Sequence, residues 1–250
     1  MIDYSLHPVL IEVLWILNIQ FSKEACPPYY FMYKNGCIMY IYLNPQYVIR
    51  NENNCSYIIA KSALITAKLE YAMAFASVVP PSIGYILSHI GEGELNASIE
   101  NIANTLNIKP DLIDKFIRKI IDNPVKVGWN YKGVTISFPP YLLTSVKEES
   151  EGSVYTDNEL FYTTDFIPKR PSVPLNLNFM ITTQCRTDCM YCYADRNRKN
   201  DLTSWQIIKV IDEAHDMGGN LALTGGDIFA FPDWKEVIRK VGQYGFTPLL

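Results

Sequence analysis

The segment 175–192 reads LNLNFMITTQCRTDCMYC and joins a strand pattern to three closely spaced cysteines. Its first part, Leu175–Thr182, contains apolar and β-branched residues in short alternation, which predicts a strand. The cysteines follow directly, in the turn that leaves this strand. The fold class therefore depends on this strand and on the helix predicted after the cysteines.

Beyond the cysteines, strand and helix patterns alternate. Thr203 and Gln206 have capping-box spacing ahead of a predicted helix, and Gly218 is placed to end that helix. In order, the predicted elements are a helix over Ser204–Met217, a strand over Asn220–Thr224, a helix over Trp234–Tyr244 and a strand over Phe246–Leu250. Such alternation predicts an α/β fold with a parallel sheet or barrel, in which chemistry lies at the C-terminal edge of the strands.

The three cysteines, Cys185, Cys189 and Cys192, form a CxxxCxxC pattern in a loop at that edge. Three thiolates leave one iron of a [4Fe-4S] cluster open to an external ligand, whereas four would saturate it. Zinc is the main alternative metal, but structural zinc sites use four ligands, and no histidine lies nearby in the sequence. The spacing favours an iron–sulfur cluster with a vacant iron.

The motif CRTDCMYC resembles the signature of radical S-adenosylmethionine (radical SAM) enzymes, in which an aromatic residue often precedes the last cysteine. Tyr191 stands at that position. The resemblance implies that the cluster binds S-adenosylmethionine and that one electron breaks its carbon–sulfur bond, releasing a 5′-deoxyadenosyl radical. It also implies that Tyr191 lies along the adenine. No catalytic residue is assigned beyond the cluster ligands.

A second element, Thr224-Gly225-Gly226-Asp227, follows the second predicted strand and resembles the GGE segment of the same family. The resemblance implies that Gly225, Gly226 and Asp227 contact the methionyl amino group of S-adenosylmethionine. Asp227 stands where glutamate is commoner, and Ile228 follows where proline is frequent. These two departures alter the fine geometry of the segment, but Asp227 keeps a carboxylate that can accept a hydrogen bond from an ammonium group.

The region 1–146 has the pattern of an α+β domain of the winged helix-turn-helix type. Its predicted elements are a helix over Ser5–Phe21, a hairpin around Asn35-Gly36, an extended piece over Tyr47–Arg50, helices over Lys61–Phe75, Ser82–Ile90, 99–106 and from Pro110, and a hairpin of Val125–Trp129 with Val134–Phe138. The acidic and proline-containing segment 147–174 is predicted to be a linker, and 175–250 the first βα units of a TIM-like radical SAM barrel.

Charge argues against nucleic acid as the partner of the winged region. The formal net charge of the chain is −4, and residues 80–140 contain six acids against six bases. The order of hairpin, helices and wing ahead of a radical SAM region resembles the peptide-recognition element of ribosomal peptide (RiPP) maturases. That resemblance implies a precursor leader peptide bound as an added strand, with ferredoxin or flavodoxin as electron donor.

The family resemblance also predicts that the chain is incomplete. Radical SAM barrels have six βα units, and maturases often carry a C-terminal SPASM extension with auxiliary clusters, whereas two units and a third strand are predicted here.

No secretion signal or uninterrupted apolar span is evident, so we expect a cytoplasmic protein with no membrane contact. Cys26, Cys37 and Cys55 stand in apolar surroundings and are expected to be buried, inert thiols.

Two other functions compete with a peptide maturase. The same radical chemistry could act on a small molecule or a folded protein, with the front domain serving interaction only. A different class, an iron–sulfur transcription regulator, would place the winged helix on DNA and sense redox state through the cysteines.

Overall fold

The computed structural model describes residues 40–60, 76–91, 93–131, 133–147, 152–156, 160–174, 176–192 and 202–246. Within these ranges the fold is mixed α/β, with five α-helices and ten strands. The chain divides into two compact units, with the boundary between Arg170 and Pro171. The predicted elements at Ser5–Phe21, around Asn35-Gly36, at Lys61–Phe75 and at 247–250 lie outside the described residues.

The first unit is built on a four-stranded mixed sheet. In chain order the strands of the whole unit are β1 (Tyr42–Leu43), β2 (Tyr47–Glu52), β3 (Cys55–Ala60), β4 (Ala76–Val79), β5 (Val127–Tyr131), β6 (Val134–Phe138), β7 (Leu143–Thr144) and β8 (Ser153–Thr156). The sheet order is β4-β3-β2-β8, with β3 antiparallel to β4 and β8 parallel to β2. Every residue of β2 and β3 is buried, so these two strands form the centre of the unit.

Three helices and a hairpin accompany this sheet. The helices are α1 (Pro81–His89), α2 (Leu95–Leu106) and α3 (Pro110–Ile120), and β5 pairs antiparallel with β6. Proline stands at the start of α1 and of α3, where the missing N–H costs nothing. These elements confirm the helices and the second hairpin predicted from the sequence. The winged arrangement as a whole stays a prediction.

The segment 147–174, predicted to be a linker, is partly structured in the first unit. β8 pairs with β2 over four positions, and the Asn51 side chain donates to Thr156 Oγ1 at 3.2 Å. Further along, Phe161 is buried and Tyr57 donates its hydroxyl hydrogen to the Lys169 carbonyl at 3.0 Å. Apolar residues such as Phe161 hold parts of the segment against the first unit, although the composition of the whole segment is polar.

The second unit contains two successive strand–helix pairs. They are β9 (Asn176–Thr182) with α4 (Ser204–Asp216), and β10 (Asn220–Gly225) with α5 (Trp234–Gln243). β9 and β10 are parallel, as predicted, and the capping box of Thr203 and Gln206 is present at the start of α4. Buried aliphatic side chains of all four elements form one core. Two parallel strands agree with the α/β prediction, and a barrel stays a prediction.

A polar cluster joins the C-terminal ends of α4 and α5. Asp212 Oδ1 accepts from the Tyr244 hydroxyl at 2.5 Å and from Lys240 Nζ at 2.7 Å. The hydrogen bond from Lys240, with that from Tyr244, holds the pKa of Asp212 below its usual range. The His215 ring stacks on Tyr244 at 3.9 Å between centroids. No helix among the described residues is both long enough and apolar enough to cross a membrane.

Asp212→Asn should lower the thermal unfolding midpoint at pH 7, by about 1–3 °C for a surface ion pair. Because the carboxyl pKa is depressed in the folded state, its stabilisation is present above the ordinary carboxyl range and is lost as pH falls through the lowered value. The difference between wild type and variant should therefore shrink on acidification. Melting curves between pH 7 and pH 3 measure it. A constant difference, or an equal effect of Glu213→Gln on the same helix, would contradict this role.

Candidate functional site

The parallel pairing of β9 and β10 places the cysteine loop beside the Gly-Gly-Asp turn. In the register, Thr224 lies opposite Met180, and Gly225 lies opposite Thr182 after a shift of one residue. Both strands run in the same direction, so their C-terminal ends, and the loops that follow, meet at one edge. The chemistry-bearing loops predicted from separate motifs are therefore neighbours in this unit.

Backbone hydrogen bonds join the two loops beyond the ends of the strands. The Gly226 N–H donates to the Thr182 carbonyl at 2.8 Å, and the Asp227 N–H donates to the Gln184 carbonyl at 2.7 Å. These bonds continue the strand pairing up to the residue before Cys185. The position of the first cysteine is thus linked to the position of Asp227.

The glycines permit an approach that no side chain would allow. A Cβ atom at Gly226 would lie 2.1 Å from the Gln184 carbonyl oxygen and 2.8 Å from Cys185 Sγ. A Cβ atom at Gly225 would lie 2.5 Å from the Thr182 carbonyl oxygen. All three separations are shorter than real Cβ contacts, so glycine is required at both positions for this loop packing.

The thiols of the cysteine loop are accessible. Cys185 and Cys189 are exposed, Cys192 is partly buried, and all three are free of disulfides. Within the loop, the Cys192 N–H donates to the Cys189 carbonyl at 3.2 Å, and Thr187 Oγ1 lies 3.7 Å from Cys189 Sγ. Across the part of the chain that the structure describes, no three His, Cys, Asp or Glu side chains are grouped as they would be around a bound metal ion.

This donor set fits an iron–sulfur cluster in chemistry, because soft thiols on one short loop are the ligands such clusters use. Cys55 offers the contrast. It is fully buried and lies 3.0 Å from the Tyr57 hydroxyl, and burial raises the pKa of its thiol. The expected burial is confirmed for Cys55, and its inertness stays a prediction, while Cys26 and Cys37 lie outside the described residues. The cluster ligands stay a prediction.

Tyr191, predicted to contact adenine, projects from the cysteine loop with 87% of its surface exposed. Met190 beside it is also almost fully exposed. Large apolar side chains at such exposure gain free energy when a planar apolar group covers them. The exposure of Tyr191 is therefore compatible with stacking on a ligand, and its contact with adenine stays a prediction.

The Asp227 carboxylate is held by its own turn. Asp227 Oδ1 accepts from the Phe229 N–H at 2.9 Å and caps the short 3₁₀ helix Ile228–Ala230. Asp227 Oδ2 lies 3.8 Å from Arg186 Nε, and the Arg186 guanidinium donates to the Phe229 carbonyl at 3.0 Å. The sequence motif does not identify Arg186, because cysteine spacing assigns no role to the residues between the cysteines. The available signal was the positive charge of Arg186 inside the cysteine motif, which could pair with the predicted carboxylate at Asp227.

The first turns of α4 and α5 are also joined at this edge. The Ser204 hydroxyl donates to Asp233 Oδ2, which links the start of one helix to the residue before the other. The Phe229 ring meets Trp234 edge-on at 5.0 Å between centroids. These contacts hold the turn that carries Asp227 against the beginning of α5.

No family model and no curated protein matches the chain. Solved structures that resemble it include three of Streptococcus suis SuiB. The structure of SuiB bound to the precursor peptide SuiA has a TM-score of 0.48 at 12% identity, and that of SuiB bound to S-adenosylmethionine has 0.46 at 12%; each match covers 83% of this chain and 41% of SuiB. A further SuiB structure has a TM-score of 0.42 at 10% identity and covers 83% and 40%. This chain thus spans about two fifths of the SuiB length.

Gly226→Ala should disturb the junction of the two loops, because its methyl group would enter the space of the Gln184 carbonyl. We expect the unfolding free energy to fall by about 1–3 kcal/mol, as for overpacked interiors. Urea unfolding measures this change. Gly242→Ala is the control, because a Cβ there meets nothing within 4 Å. Equal stabilities of the two variants would show that the loops are not in close contact.

Proposed function

We propose that the second unit binds a [4Fe-4S] cluster through Cys185, Cys189 and Cys192 and cleaves S-adenosylmethionine reductively. The observation that carries the proposal is the junction of the two loops, in which Gly226 lies against Cys185 and the Asp227 N–H donates to Gln184. Two segments that resemble motifs of one family, 32 residues apart between Cys192 and Thr224 in the sequence, thereby lie side by side. When bound, the cluster supplies the electron that breaks the carbon–sulfur bond.

The chain's own residues have separate roles in this proposal. The three thiols, accessible in the loop, hold the cluster and leave one iron position for S-adenosylmethionine. Glycines at 225 and 226 let the turn pack against the cysteine loop, and the Asp227 carboxylate accepts from the methionyl ammonium. The exposed Tyr191 ring covers the adenine. A ferredoxin or flavodoxin delivers the electron.

We further propose that the first unit binds an extended peptide, the leader of a ribosomally made precursor, so that the second unit can abstract hydrogen from that precursor. The support is β8, because its four parallel pairs with β2 add a segment from far along the chain to the sheet, and β8 itself is now the edge strand. Main-chain hydrogen bonds of this kind depend little on side chains, so a peptide can pair with a sheet edge in the same manner.

The charges of α3 disfavour the rival DNA-binding regulator. Arg118 Nε lies 2.6 Å from Asp114 Oδ2, and Asp111 stands in the first turn of the helix. Burial lowers the pKa of Lys119. Of the three cations of α3, Arg118 is paired and Lys119 is partly buried, while Lys115 is exposed, so the helix offers little charge for releasing counterions from DNA.

Anaerobic reconstitution of the full chain with iron and sulfide should give about four irons and four sulfides per chain. Cys185→Ala, Cys189→Ala and Cys192→Ala should each abolish the cluster, since three ligands leave no redundancy. Cys55→Ala is the matched control, because that thiol is buried in the first unit. Iron lost only in the control, or zinc bound without sulfide, would contradict the ligand assignment.

A leader peptide encoded near the gene should bind the full chain, whereas duplex DNA from the upstream region should not bind at physiological salt. Fluorescence anisotropy with each labelled probe measures both. A scrambled leader of the same composition is the control for nonspecific association. Tight DNA binding without peptide binding would favour the regulator, and binding of neither would favour a small-molecule or folded-protein substrate.

A further inference from the structure

Opposite charges face each other where the cysteine loop meets the turn after β10. Arg186, which directly follows Cys185, has its Nε 3.8 Å from Asp227 Oδ2. Both side chains are fixed by one residue, because the Phe229 N–H donates to Asp227 Oδ1 at 2.9 Å and the Phe229 carbonyl accepts from Arg186 at 3.0 Å. The backbone of Phe229 therefore sets the spacing of the two charges.

The contact between these charges is too long to be a hydrogen bond. The Arg186 side chain is 71% exposed, so the pair is solvated on one side and adds little to folding stability. The guanidinium has five N–H donors, and Asp227 has a second carboxylate oxygen beyond the one that caps the turn. Cation and anion are thus held a few ångströms apart, and each keeps hydrogen-bonding capacity beyond its contact with Phe229.

We propose that Arg186 and Asp227 together bind the amino-acid end of the ligand, with Arg186 on the α-carboxylate and Asp227 on the α-ammonium. An α-amino acid carries its two charges on adjacent groups around one carbon, so its partners must also lie a few ångströms apart, as these do. The inference rests on the proposed function, in which the ligand is S-adenosylmethionine. The family motif specifies a role for Asp227 and none for Arg186.

The residue type suits this role. A guanidinium presents paired N–H groups that match the two oxygens of a carboxylate, and one further N–H can remain on the Phe229 carbonyl. A lysine ammonium could not make both contacts in the same geometry. Arg186 therefore makes the site selective for ligands that keep their carboxylate, and it ties that carboxylate to the loop of Cys185 and Cys189.

The test compares two ligands on the reconstituted full chain. Calorimetry with S-adenosylmethionine and with its decarboxylated analogue, which keeps the ammonium and adenosine, separates the two halves of the ligand. Arg186→Gln should weaken S-adenosylmethionine about 10- to 100-fold, the range of a charge-assisted hydrogen bond, and change the analogue by less than about 2-fold. Asp227→Asn should weaken both ligands, and Arg186→Lys should restore part of the loss.

Iron content, measured on each variant, should stay at the wild-type value. Arg239→Gln, an exposed arginine of α5, is the matched control and should leave both affinities unchanged. Equal weakening of both ligands by Arg186→Gln, or weakening of neither, would overturn the carboxylate role and leave the proposed function standing. Failure of the wild-type chain to bind S-adenosylmethionine would overturn the proposed function itself, and this inference with it.

Discussion

The parallel pairing of β9 with β10 is the constraint on which the candidate site depends. Its hydrogen bonds extend past the strand ends, through Thr182 to Gly226 and Gln184 to Asp227, and draw two loops from distant positions in the sequence into contact. Because Gly226 has no side chain, the backbone can approach Cys185 Sγ. Without that approach the cysteines and the carboxylate would belong to separate turns.

The support behind this edge comes from the two helices. α4 and α5 pack on the strands through one aliphatic core, while the Ser204–Asp233 contact holds their beginnings and the Asp212 cluster holds their ends. Helices and strands thus carry both loops, whereas Cys185, Cys189 and Tyr191 remain exposed and Cys192 is partly buried. A stable scaffold with exposed polar and apolar groups at one edge is the arrangement expected for ligand chemistry in α/β proteins.

Local signals in the sequence predicted much of this structure. The Thr203–Gln206 capping box, the prolines that begin α1 and α3, and the strand and helix patterns from β9 to α5 all specify short-range structure, and each appears where it was predicted. The strand predicted over Phe246–Leu250 lies outside the described residues from 247 onward. β8 was missed because the polar composition of 147–158 outweighed Val154 and Tyr155. Arg186 was missed because its partner lies in another loop, and a contact of that kind follows from strand pairing rather than from spacing.

The central claim is that the cysteine loop and the Gly-Gly-Asp turn form one site for a cluster with an open iron. Electron paramagnetic resonance of the reconstituted and reduced chain, recorded with and without S-adenosylmethionine, tests it most directly. The account predicts the signal of a reduced [4Fe-4S] cluster whose g-values change when S-adenosylmethionine is added. A cluster signal that S-adenosylmethionine leaves unchanged would contradict it.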